Sequence, residues 1–158
     1  MGPGEDASDT DTELARLLGA AVALRGWVLL TGGRGVGVMD AAMSGAHSAG
    51  GLTLGILPGK DMQGASSHLD IAVLTNLGEA RNALTVLTAD VIVSIGMNPG
   101  TASEVALAIK AEKDVILLNC PPAGRDFFAG LGGARVHAAA TVQEALTLVV
   151  DSPGLKKI

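Results

Sequence analysis

The chain lacks the residues on which several classes of binding site depend. It has one cysteine, Cys120, no tyrosine, one tryptophan and two phenylalanines among its 158 residues. A single cysteine excludes an intrachain disulfide framework and a cysteine-rich zinc cluster. The three histidines do not have metal-ligand spacing, so no metal site is predicted. Cys120 is expected to be a small core residue.

Positive charge is also scarce. Eleven Lys and Arg residues against sixteen Asp and Glu residues give a formal net charge of −5. Proteins that bind nucleic acid place clusters of Lys and Arg against the phosphate backbone and often stack aromatic side chains on the bases. Aromatic residues make up only 2% of this chain. The sequence therefore predicts no nucleic-acid partner.

Long apolar runs and targeting signals are missing as well. No run has the length of a membrane span and no signal-peptide pattern opens the chain, so we expect a cytoplasmic protein without a membrane partner. Apolar residues nevertheless make up 48% of the chain, with a mean hydropathy of +0.42. The excess has two explanations. Either apolar helix faces are buried between subunits, which predicts a homo-oligomer, or the composition is simply rich in alanine.

Glycine is abundant, and four glycines lie close together after the apolar run at residues 27–30. A buried strand, a glycine-rich loop and a following helix form a general anion site, because a helix N-terminus offers unpaired N–H groups and a positive dipole end. Glycine also lets a ligand approach the backbone closely. On this interpretation Gly33→Val should abolish anion binding with little loss of fold. The predicted site comprises Gly32, Gly33, Arg34, Gly35, Val36 and Gly37.

The spacing of these glycines narrows the class of anion. In the dinucleotide fingerprint a third glycine would fall at Val38, and no acidic residue ends the next strand at Leu57. The phosphate-loop motif is also missing, because no Gly-Lys-Ser/Thr follows. The loop therefore predicts binding of a phosphate or another oxyanion through the backbone.

Apolar segments of four to six residues alternate with helical segments of ten to fifteen. This alternation predicts an α/β fold: a single Rossmann-like domain over residues 1–158, in three layers, with a doubly wound parallel sheet and helices on both faces. Capping boxes are expected to begin helices at Thr10 and Thr101, with Glu13 and Glu104 as their second members. Phe127 and Phe128 are expected to form a short apolar turn.

The start of the chain is unusual for such a sheet. Residues 1–4 resemble the loop that follows a central first strand, while that strand itself is missing and appears truncated in the sequence. Either the chain begins late, which we favour, or the fold tolerates a gap at its centre. A late start predicts that residues added before Met1 will increase stability.

A second group of polar residues is expected at the same sheet edge. Arg81 and Asn82 begin a helix, where Arg81 is either a site residue or a solvated surface charge. A second glycine loop at residues 96–100 leads into the next helix. There Glu104 is either the second member of the Thr101 capping box or a functional carboxylate. The candidate residues of this loop and helix are Asn98, Pro99, Gly100, Thr101, Ser103 and Glu104.

The two glycine loops, Arg81 and the pattern Gly100-Thr101-x-x-Glu104 resemble the Rossmann-like superfamily once described as lysine decarboxylases, which includes the Lonely Guy phosphoribohydrolases. This resemblance implies that Arg81 and Glu104 cleave the N-glycosidic bond of a nucleoside 5′-monophosphate, either a cytokinin precursor or AMP. Met97 and Asn98 stand where those enzymes have glycines. Their side chains are expected to crowd the phosphate cradle.

A closer resemblance, from Met1 to about Glu144, is to the molybdenum cofactor carrier proteins of algae and bacteria. The shared segments are MGPGE, GWVLLTGGRGVGVMDAAMSGAHSAGG, GILPG, GEARN and GMNPGTASEVALAIKA. The resemblance implies a dimeric or tetrameric protein without catalytic residues that holds molybdenum cofactor and passes it to molybdenum enzymes.

In such a carrier the glycine loops would bind the phosphate and oxyanion ends of the cofactor through their backbones. Arg34 and Arg81 would neutralise charge, and Asn98, Thr101 and Ser103 would orient the ligand. The segment 58–69, predicted to be a mobile loop, would shield it. The phosphoribohydrolase and a nucleotide-binding protein of other role remain the alternatives.

Overall fold

The computed structural model describes residues 1–155 and alternates strands with helices. The last three residues of the predicted single domain lie outside this range. No helix within it is both long and apolar enough to cross a membrane. The strands are Leu29–Thr31 (β1), Thr53–Leu57 (β2), Ile71–Leu74 (β3), Ile92–Ile95 (β4), Val115–Leu118 (β5) and Val136–Ala139 (β6). The α-helices are Asp9–Ala23 (α1), Gly37–Ser48 (α2), Asn82–Thr88 (α3), Pro99–Lys110 (α4), Pro122–Gly132 (α5) and Val142–Asp151 (α6), with 3-10 turns at Gly78–Arg81 and Gly133–Arg135.

The strands form two parallel sheets of three, in the orders β1-β2-β3 and β4-β5-β6. Every neighbouring pair runs parallel; Leu30 is opposite Leu54 in one sheet and Ile116 is opposite His137 in the other. The predicted α/β Rossmann-like fold is confirmed. The strands lie in two sheets because, among the described residues, no strand pairs with both β1 and β4.

Helices cover both faces of the second sheet, and β5 shows this best. All four of its residues are buried. Ile116 and Leu118 pack with residues of α1, α2 and α6, whereas Val115 and Leu117 pack with residues of α3, α4 and α5. Alternate side chains of a strand point to opposite faces, so this division places a helical layer on each side.

The first helix is capped differently from the prediction. Ser8, rather than Thr10, precedes α1, and its hydroxyl accepts the Asp11 N–H at 3.1 Å. The Asp11 carboxylate in turn accepts a hydrogen bond from the Ser8 backbone N–H at 3.2 Å. Asp11 therefore replaces Glu13 as the second member of the capping box, since helix formation two residues earlier shifts both positions.

The predicted turn at Phe127 and Phe128 is also wrong. Both residues lie within α5, which begins at Pro122, and the first turn of a helix tolerates proline because its N–H would have no partner there. Phe128 is buried in the core and Phe127 is exposed. A helix with one apolar stripe accounts for the pair better than a turn.

An open cleft of about 670 Å³ separates β1 from β4. Met1 sits at one end of it and pairs with β4: its ammonium donates to the Val93 carbonyl at 2.8 Å, and its own carbonyl accepts the Ile95 N–H at 2.9 Å. These are the bonds of a residue in a parallel strand. Mostly apolar side chains line the cleft, among them Leu18, Val22, Trp27, Leu29, Val38, Ala42, Ile92, Ile95 and Val149.

We expect a peptide extension before Met1 to fill this cleft as a strand. A variant with Val-Ile-Val-Ile inserted before Met1 should melt about 5 °C or more above the original chain, because it buries apolar surface between two strand edges. The emission of Trp27, the only tryptophan, should shift to the blue. A Gly-Ser-Gly-Ser extension is the control. Equal melting temperatures for the two extensions would contradict the expectation.

Candidate functional site

Four segments meet near the carboxyl ends of the parallel strands, where ligands of α/β proteins bind. The first glycine loop, residues 32–37, follows β1. The segment 58–69 follows β2, and the second glycine loop, residues 96–100, follows β4 and runs into the first turn of α4. The chain start joins them, since the Pro3 carbonyl accepts the Val38 N–H of α2 at 3.0 Å.

The segment 58–69 is fastened to the first glycine loop. Gly35 donates its N–H to the Gly64 carbonyl at 2.9 Å, and Ser66 donates its N–H to the Gly33 carbonyl at 3.0 Å. The Ser66 hydroxyl also donates to the Asp40 carboxylate of α2 at 2.6 Å. The segment has no helix or strand, as predicted, and these bonds hold residues 64–66 against the loop.

The glycines of the first loop serve contacts within the chain. A Cβ at Gly33 would lie 3.1 Å from the Gly55 Cα, and Gly33 has a φ of +75°. A Cβ at Gly35 would lie 3.2 Å from the Ala65 carbonyl oxygen. The Gly33 N–H is bound by the Thr31 hydroxyl oxygen at 3.0 Å. Close packing therefore explains glycine here, and the expectation that Gly33→Val leaves the fold intact is wrong.

Gly32 has a different neighbour, the guanidinium of Arg81. A Cβ at Gly32 would lie 2.7 Å from Arg81 Nη2. Arg81 is only 5% exposed, which excludes a solvated surface charge, and its Nε is buried without a hydrogen-bond partner in the described residues. Burial lowers the pKa of Arg81, while the carboxylates of Glu104 and Glu79 raise it.

Besides Ser94 Oγ in β4, two further buried polar atoms lack partners within residues 1–155, and these two lie at the starts of two neighbouring helices. They are Asn82 Oδ1, in the first turn of α3, and Thr101 Oγ1, in the first turn of α4. The two helices pack against each other. Leaving a buried polar atom unbonded costs about 1–3 kcal/mol. A bound ligand that supplies these bonds removes that cost.

Glu104 is not a helix cap. Asn98 caps α4, and its Oδ1 accepts the Thr101 N–H at 2.8 Å. Glu104 instead lies at the wall of the cleft, beside Met1. Burial raises the pKa of Glu104, against the lowering effects of the Met1 ammonium and Arg81. The Glu104 carboxylate therefore serves either a ligand or the positive charges of Met1 and Arg81, and not the end of the helix.

The remaining candidate residues between Met97 and Ser103 are partly exposed to solvent and partly packed into the core. Ser103 is exposed and donates its hydroxyl to the Gly100 carbonyl at 2.8 Å, so it does not join Arg81. Pro99 and Gly100 are exposed in the first turn of α4. Met97 packs into the core cluster of α3, α4 and α5. The crowding expected from Met97 is therefore not observed, while Asn98 does occupy the helix N-terminus.

Sequence reasoning missed the contribution of the chain start, residues 2–6, here called the N-terminal strap. Asn98 Nδ2 donates to both carboxylate oxygens of Asp6 at 3.1 Å, and Glu5 Oε1 lies 3.8 Å from Arg34 Nη2. The strap thus contacts both glycine loops. A signal existed in the sequence, because a loop following a central strand belongs at the ligand edge of the sheet.

With this geometry established, comparison with known proteins identifies the family. Residues 1–146 match the SLOG cluster4 family. The chain belongs to this family. Two solved structures are similar to it over almost the whole chain.

The molybdenum cofactor binding protein of the phototrophic bacterium Rippkaea orientalis is 49% identical, with a TM-score of 0.93 and coverage of 95% of this chain and 92% of that one. The molybdenum cofactor carrier protein of Chlamydomonas reinhardtii is 46% identical, with a TM-score of 0.90 and coverage of 95% and 93%. The resemblance found in the sequence is confirmed.

Similarity to the phosphoribohydrolases is local. The cytokinin riboside 5′-monophosphate phosphoribohydrolase of Mycobacterium tuberculosis is 47% identical over 55 residues, which is 33% of this chain and 29% of the enzyme. A shared superfamily accounts for this short match.

Gly33→Val should destabilise this SLOG cluster4 protein by about 1–3 kcal/mol from backbone strain alone, because valine rarely adopts a positive φ. Urea unfolding measures the change. Gly130→Val is the control, since Gly130 lies in α5 with no atom within 4 Å of its added Cβ. If both variants unfold at the same urea concentration, neither the positive φ nor the close packing at Gly33 requires glycine.

Proposed function

We propose that this protein binds molybdenum cofactor and carries it without transforming it. The observation that carries the proposal is the buried guanidinium of Arg81, held against the Gly32 backbone with its Nε unpaired among the described residues. Asn82 Oδ1 and Thr101 Oγ1 are unpaired close by in the fold. Whole-chain similarity to cofactor-binding and carrier proteins supports the same ligand.

The unpaired atoms match the chemistry of a pterin phosphate. Arg81 supplies a buried positive charge and a free donor for a phosphate or oxyanion. Asn82 Oδ1 is an acceptor and suits a ring N–H or amino group, while the Thr101 hydroxyl can donate or accept. A ligand with only oxyanions would leave the Asn82 acceptor unpaired. The proposal therefore favours a ligand with both oxyanion and N–H groups.

The other predicted site residues are assigned outer roles. Arg34 is 42% exposed in its side chain and stands at the mouth, where it attracts an anionic ligand. Gly32 provides the surface against which Arg81 lies, and the segment 58–69 shields one side of the site from solvent. Gly33 and Gly35 use their N–H groups within the chain and Ser103 does not join Arg81, so the proposed binding set is Gly32, Arg34, Arg81, Asn82, Asn98 and Thr101. Val36, Gly37, Pro99, Gly100 and Glu104 border this set.

Reconstitution with cofactor tests the proposal. The pure protein is incubated with molybdenum cofactor without oxygen, passed through a desalting column and assayed for retained molybdenum. Wild type should retain it, and Arg81→Met should bind at least about tenfold more weakly, because a charge-assisted hydrogen bond contributes roughly 1.5–3 kcal/mol. Arg125→Met, on the exposed side of α5, is the matched control. Equal retention by both variants contradicts the proposed site.

A phosphoribohydrolase remains the second candidate because Arg81 and Glu104 lie close enough to influence each other's pKa. In that reaction Glu104 would act on the developing oxocarbenium ion and Arg81 on the phosphate. Asn98 argues against it, because its side chain takes the Thr101 N–H that a glycine there would leave for a phosphate. Release of free base from AMP or a cytokinin riboside monophosphate, lost in Glu104→Gln, would establish the enzyme instead.

We also propose that the protein is a homo-oligomer, a dimer or a tetramer. Among the described residues, six of the fourteen exposed large hydrophobic side chains fall between residues 71 and 87. This concentration favours a contact with a second copy over a general alanine-rich composition. The six are Ile71, Val73, Leu74, Leu77, Leu84 and Leu87. The same stretch contains Arg81 and Asn82, so the contact would border the site.

Leu84→Glu combined with Leu87→Glu should reduce the molar mass measured by light scattering to that of the monomer. Both side chains lie on α3, with exposed fractions of 40% and 60%, and a buried carboxylate without a partner opposes association. Leu24→Glu, at a position 77% exposed and outside the stretch, is the control. An unchanged mass in the double variant would place any subunit contact elsewhere.

The cytosol is the proposed compartment, with molybdenum enzymes as the proposed recipients of the cofactor. Cys120 is buried and unpaired as a thiol, and burial raises its pKa, which suits a reducing compartment. A carrier also requires a partner that receives its cargo.

A further inference from the structure

The mouth of the site contains two carboxylates that the proposed function does not use. Glu5 Oε1 lies 3.8 Å from Arg34 Nη2, in the first glycine loop. Both oxygens of the Asp6 carboxylate accept from Asn98 Nδ2 at 3.1 Å, in the second. Two consecutive residues of the N-terminal strap thus contact opposite sides of the mouth. Their partners are two of the groups assigned to an anionic ligand.

The side chains are not needed to fix the strap, because its backbone is already held. The Met1 carbonyl accepts the Ile95 N–H at 2.9 Å and the Pro3 carbonyl accepts the Val38 N–H at 3.0 Å. A Cβ at Gly2 would lie 2.7 Å from a methyl carbon of Val38. The strap is therefore packed tightly at its base.

The two carboxylates are nevertheless free to leave their partners. Glu5 is 83% exposed in its side chain and Asp6 is exposed. An exposed ion pair changes an equilibrium by no more than about fivefold. The base of the strap is fixed while its acidic side chains are easily released.

We propose that Glu5 and Asp6 determine the affinity and charge specificity of the site by occupying the anion-binding groups of Arg34 and Asn98 until a ligand displaces them. The inference rests on the proposed function, since it assumes that an anion binds between the two loops. An entering phosphate or oxyanion competes with a carboxylate on each side. A weakly charged ligand displaces both carboxylates less readily, so the pair favours ligands with strong or multiple negative charges.

Binding of inorganic phosphate, measured by isothermal titration calorimetry, tests the inference. The variant Glu5→Gln/Asp6→Ala removes both contacts, and its dissociation constant for phosphate should be about 2- to 25-fold lower than that of wild type. The matched control is Asp9→Asn/Glu13→Gln, which removes the same charge from exposed residues of α1. Simple loss of negative charge should tighten binding in both double variants alike, at low salt only.

A second measurement follows the displaced contact itself. In 15N NMR spectra the Asn98 side-chain amide should shift during a phosphate titration of wild type, as Asp6 is replaced by the anion. In Asp6→Ala that signal should differ from wild type before phosphate is added. The amide of Asn119, whose Nδ2 donates to Asp11 at 2.9 Å, serves as the internal reference.

Three outcomes overturn the inference: equal phosphate affinity in the two double variants, weaker binding in Glu5→Gln/Asp6→Ala, or no phosphate binding by that variant at all. Its failure is distinguishable from that of the proposed function. If wild type retains the cofactor and Glu5→Gln/Asp6→Ala binds phosphate as wild type does, only the role of the two carboxylates is contradicted. Tightened phosphate binding without cofactor retention supports that role and contradicts the cofactor as ligand.

Discussion

Parallel pairing of all six strands is the constraint on which the rest of the molecule depends. Parallel neighbours require a crossover between every two strands, and the crossovers supply α2 to α5, which bury β5 together with the terminal helices α1 and α6. The same pairing brings the carboxyl ends of the strands to one edge. Residues as distant in sequence as Pro3, Val38 and Asn98 meet there because of strand direction, not because of local sequence.

At this edge several backbone groups are used by the protein itself. The N–H groups of Gly33, Gly35 and Val38 are bound within the chain, and the Thr101 N–H is capped by Asn98. Side chains add capacity for a ligand, above all Arg81, whose Nε has no partner among the described residues. The site thus differs from a simple glycine cradle. A rigid framework of backbone bonds holds a small number of unpaired polar side chains.

The sequence predicted the fold better than it predicted which residues form the candidate site. Alternating apolar and helical segments predicted the α/β class, and the structure confirms it. Capping was less predictable at α1 and α4, because Ser8, Thr10, Asn98 and Thr101 are all residue types that cap helices. Sequence spacing does not decide which of two nearby candidates caps the helix. The packing of the backbone decides it, because packing fixes the residue at which the helix begins.

Individual residues of the site show the same limit. The sequence marked Arg81 and Glu104 through their motif, but only the structure showed that Arg81 is buried against Gly32 and that Glu104 is not a cap. It showed likewise that Met97 turns into the core, while Asn98 takes the helix N-terminus. These outcomes depend on which side of the chain faces a neighbouring element, and that neighbour lies far away in sequence.

Local residue patterns were enough to predict the α/β class and the family resemblance, because both are written in short motifs. Only the folded chain shows that the first-loop glycines serve close packing and that the strap joins both loops. It also shows that β1 and β4 face each other across an open cleft. Those features depend on contacts between segments about 20 to 90 residues apart, which a linear pattern does not contain.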